Sequence, residues 1–215
     1  RTGRAGSVME RQSEFVLRME ACACWEDYRG LEEETISLCL RPGETMLLTM
    51  GTEPEKEGIY RILSGQKKLR RGSLEISPRR RVVPPRMPVL QGFSVKDMMI
   101  LPQLWEVPDR AAAWKRAGAW LRDTVLWEKR TMPAAALGVG ESCLLMLTSA
   151  FACRPELVVA GDCTGRLTDP EKKLFWQALD QCRRKHPAAV LLLGTEAGEW
   201  FQTDRSMSWP EDKDE

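Results

Sequence analysis

The hydrophobic and polar positions change period several times along the chain. Residues 15–25, FVLRMEACACW, alternate apolar and polar, as a strand does. Thr35 to Leu40 alternate in the same way. Arg41-Pro42-Gly43-Glu44 predicts a turn, and Thr45 to Met50 form an apolar run typical of a buried strand. The charged stretch GTEPEKEG (51–58) predicts a loop, and IYRILSG (59–65) a helix stopped by Gly65. In KKLRRGSLEISPRRR (67–81) a basic turn and a short strand around Leu74–Ile76 are expected. Residues 82–93 hold three prolines and read as irregular.

Ser94 is placed to cap a helix over VKDMMILPQLW (95–105). A second helix is predicted over 111–127, where Trp114, Trp120, Leu121 and Trp127 recur at near-helical spacing. Such an aromatic stripe reads as core or interface. An apolar helix follows in SCLLMLTSAFAC (142–153), then a buried strand in RPELVVAGD (154–162). DPEKKLFWQALDQCRRK (169–185) predicts an amphipathic helix with acids first and bases last, which suits the helix dipole. HPAAVLLLGTE (186–196) predicts another buried strand. Helices alternating with continuous apolar strands predict an α/β chain with a mainly parallel sheet. The expected organisation is a flexible N-terminal extension (1–14), one domain (15–200) with a helical part at about 94–136, and a weakly patterned C-terminal tail (201–215). Met9 is the expected natural start.

Composition narrows the chemistry. With 32 Lys+Arg against 31 Asp+Glu, the chain has no global excess of charge for a polyanion, and no nucleic-acid partner is expected. The basic runs Lys67–Arg71 and Arg79–Arg81 read as solvated turn charge. Seven scattered cysteines without a CxxC pair read as reduced, buried thiols of a cytosolic protein. No run reaches the roughly 20 apolar residues that a membrane span needs. The only histidine, His186, excludes any metal site or triad needing two of them within these residues.

Taken in order, the pieces resemble the nucleotide-binding subunit of an ATP-binding-cassette (ABC) transporter over about residues 15–200. ISLCLRPGETMLLTMG (36–51) resembles the strand, turn and strand that lead into that family's P-loop. IYRILSG resembles its P-loop helix, and GSLEI (72–76) the strand that follows. LGVGE (137–141) falls where the signature belongs, and RPELVV where the Walker B strand does. TDPEKKLFWQAL resembles the helix after the D-loop, and LLLGTE (191–196) the strand ending in the switch histidine. The resemblance implies a P-loop NTPase-like core with a mainly parallel sheet, an N-terminal antiparallel β part and a helical subdomain. It also implies ATP and Mg as cofactors and ATP hydrolysis that drives transport. The partners implied are a membrane permease and a second nucleotide-binding subunit, with a cytoplasmic location, peripheral on the membrane through the partner.

The residues at the family's motif positions depart from its chemistry. A phosphate-binding loop needs glycines so that backbone N–H groups can wrap phosphates, a lysine to neutralise them and a hydroxyl for the metal. Here the stretch from Met50 to Gly58 places Gly51, Lys56, Glu57 and Gly58 in the motif. Lys56 holds the lysine position, Met50 and Glu55 replace glycines, Glu57 replaces the hydroxyl, and Pro54 lacks a backbone donor. Like charges about 4 Å apart cost on the order of 4 kcal/mol at an effective dielectric of 20. Glu53, Glu55 and Glu57 would therefore repel a polyanion, and Lys56 reads as a solvated lysine in an acidic loop. At Walker B, Gly161 stands at the metal carboxylate and Asp162 at the catalytic glutamate; shifted by one residue, Asp162 is the metal ligand and Cys163 replaces the base, so one essential group is missing either way. Asp162 equally suits a turn residue at a strand end. In the signature, Gly138 replaces the serine and Val139 a glycine, while Gly140 and Glu141 are kept. Glu196 stands at the switch histidine. The Q-loop glutamine position falls near Pro84–Pro85, and Trp25 or Tyr28 stands where the family stacks adenine. The expectation is a degenerate, pseudo-ATPase subunit. An active ATP-hydrolysing subunit with divergent motifs and a stand-alone binding or regulatory module both stay open.

Overall fold

The computed structural model describes residues 14–23, 35–88, 91–107, 109–194 and 203–209. Its first strands are β1 (Leu17–Ala23), β2 (Ile36–Leu40) and β3 (Thr45–Met50), followed by helix α1 (Glu53–Leu63) and strands β4 (Arg71–Ile76) and β5 (Arg80–Val83). A helical stretch then holds α2 (Val95–Ile100) and α3 (Arg110–Leu121), each followed by short 3-10 or turn segments. α4 (Val139–Ala152), β6 (Leu157–Ala160), α5 (Asp169–Lys185), β7 (Ala189–Gly194) and β8 (Arg205–Trp209) complete the chain.

Two sheets form. One has three antiparallel strands in the order β2-β1-β4; the other has five strands in the order β5-β6-β7-β3-β8, every neighbouring pair parallel. Strand period divides the apolar runs between two cores. Met46, Leu48, Met50, Leu157, Val159, Leu191 and Leu193 face α1 and the antiparallel sheet. Leu47, Val158, Ala160, Val190 and Leu192 face α2 to α5. Continuous apolar strands are therefore required here because both faces of the sheet are covered.

Four expectations are corrected. Residues 53–58 are the first turns of α1 and not a loop. Thr52 precedes the helix in extended conformation, and its backbone N–H donates to the Glu55 carboxylate at 2.9 Å. Pro54 falls in the first turn, where a missing N–H leaves no bond unmade. The acids cluster at the positive end of the helix dipole and Arg61 lies at the other end. Charge that looked like loop composition is thus a helix start.

Residues 80–83, expected within a basic turn and an irregular stretch, form an edge strand beside β6. Residues 205–209, expected in the tail, form the opposite edge and pair with β3 from Met46↔Arg205 to Met50↔Trp209. Edge strands are half solvated, so neither shows a continuous apolar run. Finally, the predicted helix over 111–127 ends at Leu121. Trp120 packs toward Phe151, whereas Trp127 returns through a turn to stack on Trp114 with centroids 6.0 Å apart and planes within 5°.

Candidate functional site

Parallel strands place their C-terminal ends together, and ligands of open α/β sheets bind in the crevice beyond them. Here β3 ends at Met50, β6 at Ala160 and β7 at Gly194, which brings α1 against the turn that carries Asp162.

Lys56 lies on the buried face of α1 with Ile59, Ile62 and Leu63. Its side chain is 8% exposed and that of Asp162 is 11% exposed. Lys56 Nζ donates to Asp162 Oδ2 at 2.8 Å and to Glu53 Oε1 at 3.0 Å. Asp162 Oδ1 also accepts the Gly165 N–H at 3.0 Å. Lys56 is therefore a buried, paired cation and not a solvated one: helical spacing from Ile59 turns it inward, and a charge out of water requires a counter-charge. Burial works against the charged ammonium, but the hydrogen bonds to Asp162 and Glu53 outweigh it and hold the Lys56 pKa above its ordinary value. Asp162 is a turn residue, as its strand-end position suggested, and an ion-pair partner as well.

The acidic residues of this segment do not act alike. Glu57 projects outward to Arg61 at 2.5 Å. Glu55 folds back over the strand–helix turn, where its Oε2 takes the Thr52 N–H and lies 3.8 Å from where a Gly51 Cβ would stand. The N-terminus of a helix attracts anions; at the start of α1 the Glu55 carboxylate accepts the N–H of Thr52, the residue that precedes the helix. Gly58 sits within α1.

Gly161, at the position of the family's metal carboxylate in one register of the sequence, has no room for a side chain. A Cβ there would lie 2.8 Å from Cδ and Cγ of Pro85. Pro85, near the Q-loop position, packs into the space a metal-binding carboxylate needs.

The signature segment forms the start of α4. Gly138 precedes the helix and donates its N–H to Glu141 Oε2 at 3.3 Å, while the other Glu141 oxygen pairs with Lys129. Val139 is exposed. Gly140 donates its N–H to Glu171 Oε1 at 3.3 Å, and a Cβ on Gly140 would come within 2.7 Å of that oxygen. Glu171 Oε2 accepts both the N–H and the hydroxyl of Thr168, at 2.9 and 2.8 Å. The Thr168 backbone N–H, then its hydroxyl, hold the Glu171 carboxyl below its ordinary pKa. Glu171 is the site residue that sequence reasoning passed over. The Thr168-Asp169-Pro170-Glu171 capping pattern announced its first role, but nothing local announced Gly140. Cys143, in the second turn of α4, donates its thiol to the Cys163 carbonyl at 3.4 Å and ties α4 to the Asp162 turn.

Trp25, Tyr28 and Glu196 lie outside the described residues. His186 sits at the opposite end of the sheet, where its Nε2 lies 2.6 Å from the Pro155 carbonyl oxygen.

The residues present do not fit Mg-ATP. Lys56 is neutralised by two carboxylates, Glu57 points away, Gly161 cannot carry a side chain without displacing Pro85, and carboxylates accept backbone N–H groups at the starts of both α1 and α4.

No profile of a known protein family matches the sequence, and no curated protein matches it. Solved structures do match the fold. A metal-chelate type ABC transporter in an inward-facing conformation aligns with TM-score 0.73 at 15% identity, over 85% of this chain and 74% of that one. The ATP-binding subunit of an ABC transporter aligns with TM-score 0.69 at 16% identity, over 84% and 79%. The cbiO1 subunit of the Clostridium perfringens cbiONQ ABC transporter complex aligns with TM-score 0.70 at 14% identity, over 85% and 79%. The chain therefore shares the fold of solved ABC transporter ATP-binding subunits: an α/β core with a five-stranded parallel sheet and an added three-stranded antiparallel sheet.

Proposed function

We propose that this chain is an ABC transporter ATP-binding-subunit-like protein that has lost nucleotide hydrolysis. It works on the cytoplasmic side of a membrane by pairing with a second nucleotide-binding subunit, a membrane permease, or both. The observation that carries the reading is the Lys56–Asp162 contact of 2.8 Å. In a working site the lysine neutralises phosphate and the Walker B acids serve the metal and the attacking water; here the lysine and the one remaining acid neutralise each other. The fold and its two cores persist while the groups for Mg-ATP are absent or occupied, which is what a subunit retained for its surfaces requires. The solved structures of similar fold support the transporter setting, since they are ABC transporters or their subunits.

Calorimetric titration of the purified chain with Mg-ATP tests the loss of nucleotide function. The expected result is no heat of binding up to millimolar nucleotide and no phosphate release. Micromolar binding that disappears in Lys56→Ala would overturn it. Co-purification with an integral membrane partner in detergent tests the pairing; a chain recovered only as a free monomer would count against it.

A further inference from the structure

Beyond the nucleotide region, α2, α3 and the turns at 122–133 build a second distinctive face. Backbone hydrogen bonds stitch it together: Val95 N to Met132 O at 3.0 Å, Lys96 N to Arg130 O at 2.9 Å, and Ala134 N to Phe93 O at 2.8 Å. On it, Lys96 Nζ lies 4.7 Å from the Trp114 ring centroid, and the Arg122 and Arg130 guanidiniums lie 5.0 and 4.7 Å from that of Trp127. Neighbouring cations are neutralised, Arg110 by Asp97, Lys129 by Glu141 and Lys185 by Asp123. Among the described residues, Lys96, Arg122 and Arg130 have no carboxylate partner. Beside them Phe93, Val125 and Met132 are 36%, 61% and 38% exposed, although large apolar side chains gain by leaving water.

We infer that this face rests on the headgroup layer of an anionic bilayer. Cations held over aromatic rings meet lipid phosphates and carboxylates, tryptophans suit the boundary between water and hydrocarbon, and apolar tips enter the acyl edge. Two features favour a bilayer over an acidic protein segment. The apolar residues come from separate loop positions, and the cations are split between α2 and the turns at 122–133 rather than lined along one segment. An acidic segment would use the charges and leave Phe93, Val125 and Met132 in water. The inference stands on this face alone and does not depend on the fate of nucleotide at the other site.

Vesicle flotation tests it. The full chain should float with phosphatidylcholine vesicles containing phosphatidylserine, should not float with phosphatidylcholine alone, and should lose binding as salt rises. Arg122→Gln, at an exposed position, should weaken binding about fivefold, and Lys96→Glu/Arg122→Glu/Arg130→Glu on the order of a hundredfold or more. Val125→Ser/Met132→Ser should weaken binding with all charges kept, which a purely ionic contact would not show. Circular dichroism reports whether each variant folds, and Arg122→Gln decides the matter if the triple variant does not. Failure to float with phosphatidylserine vesicles at low salt overturns the inference. So does flotation unchanged by Arg122→Gln, or binding of a polyglutamate peptide in the absence of vesicle binding.

Discussion

Pro85 and Gly161 are fitted to each other: the space a Cβ would take on Gly161 lies 2.8 Å from two ring carbons of Pro85. The proline belongs to the segment after β5 and the glycine follows β6, so the fit is built across the two strands. Gly161→Asp, which would restore a metal carboxylate, should therefore destabilise the chain by about 1–3 kcal/mol through overpacking. Adding Pro85→Ala removes both ring carbons and should return most of the loss. Urea unfolding of the two variants measures this; equal stability of Gly161→Asp and the parent chain would refute the steric account.

Lys56→Met should leave the largely buried Asp162 without its cation and cost about 3–5 kcal/mol, as breaking one side of a buried pair does. Lys56→Met/Asp162→Leu should cost clearly less than the two single changes added together. The Lys56 pKa is raised on folding, so its contribution is complete below its ordinary value of 10.5 and is lost as pH rises through the folded value. Thermal midpoints across the alkaline range should fall in the parent chain more than in Lys56→Met.

Among the described residues, two carboxyls are held below their ordinary values and bear on the acid side. Glu171 is lowered chiefly by the Thr168 N–H, and Asp97 chiefly by the Ser94 hydroxyl, with Arg110 adding to the effect. Their stabilising effect is present above the ordinary values of 4.5 and 3.8 and is lost as pH falls through the lowered folded values. Glu171→Gln and Asp97→Asn should flatten the acid limb of a midpoint-against-pH curve. Asp97→Asn should also cost about 1 kcal/mol at neutral pH through the weakened cap of α2. An unchanged acid limb in both variants would show that these carboxyls carry no linkage.

Trp114 and Trp127 stack face to face, with centroids 6.0 Å apart. A double-mutant cycle with Trp114→Ala and Trp127→Ala should return a coupling of about 1 kcal/mol beyond the apolar area each one buries. Either single variant should erase the paired-indole signal in the near-ultraviolet circular dichroism. Strictly additive losses would mean that the rings are neighbours without interaction.

Much of this architecture was legible along the chain. β3, β6 and β7 are continuous apolar runs, and a strand covered on both faces has no other way to be written. α5 was legible to the residue because Thr168, Pro170 and Glu171 mark its start and Arg183, Arg184 and Lys185 its end. Lys56 and Asp162, both singled out along the chain, meet in an ion pair beyond the C-terminal ends of the parallel strands. The start of α1 was misjudged because acids, a proline and a glycine compose a loop and a helix N-terminus equally well. Only the Thr52–Glu55 bond distinguishes the two.

The sequence by itself determined the alternation of helices and strands, and it singled out Lys56 and Asp162 for their residue types at the ends of apolar runs. These follow from residue type and local period. The tertiary structure decided where each charge goes. It turned Lys56 inward to Asp162, 106 residues away, sent Glu57 out to Arg61, laid Glu171 against Gly140, and set Pro85 where a side chain on Gly161 would stand. It also completed the sheet with β5 and β8, edge strands that lack a continuous apolar run. Local pattern reports which face a residue can present, but the partner that meets it comes from a distant part of the chain, and that pairing exists only after the strands have assembled.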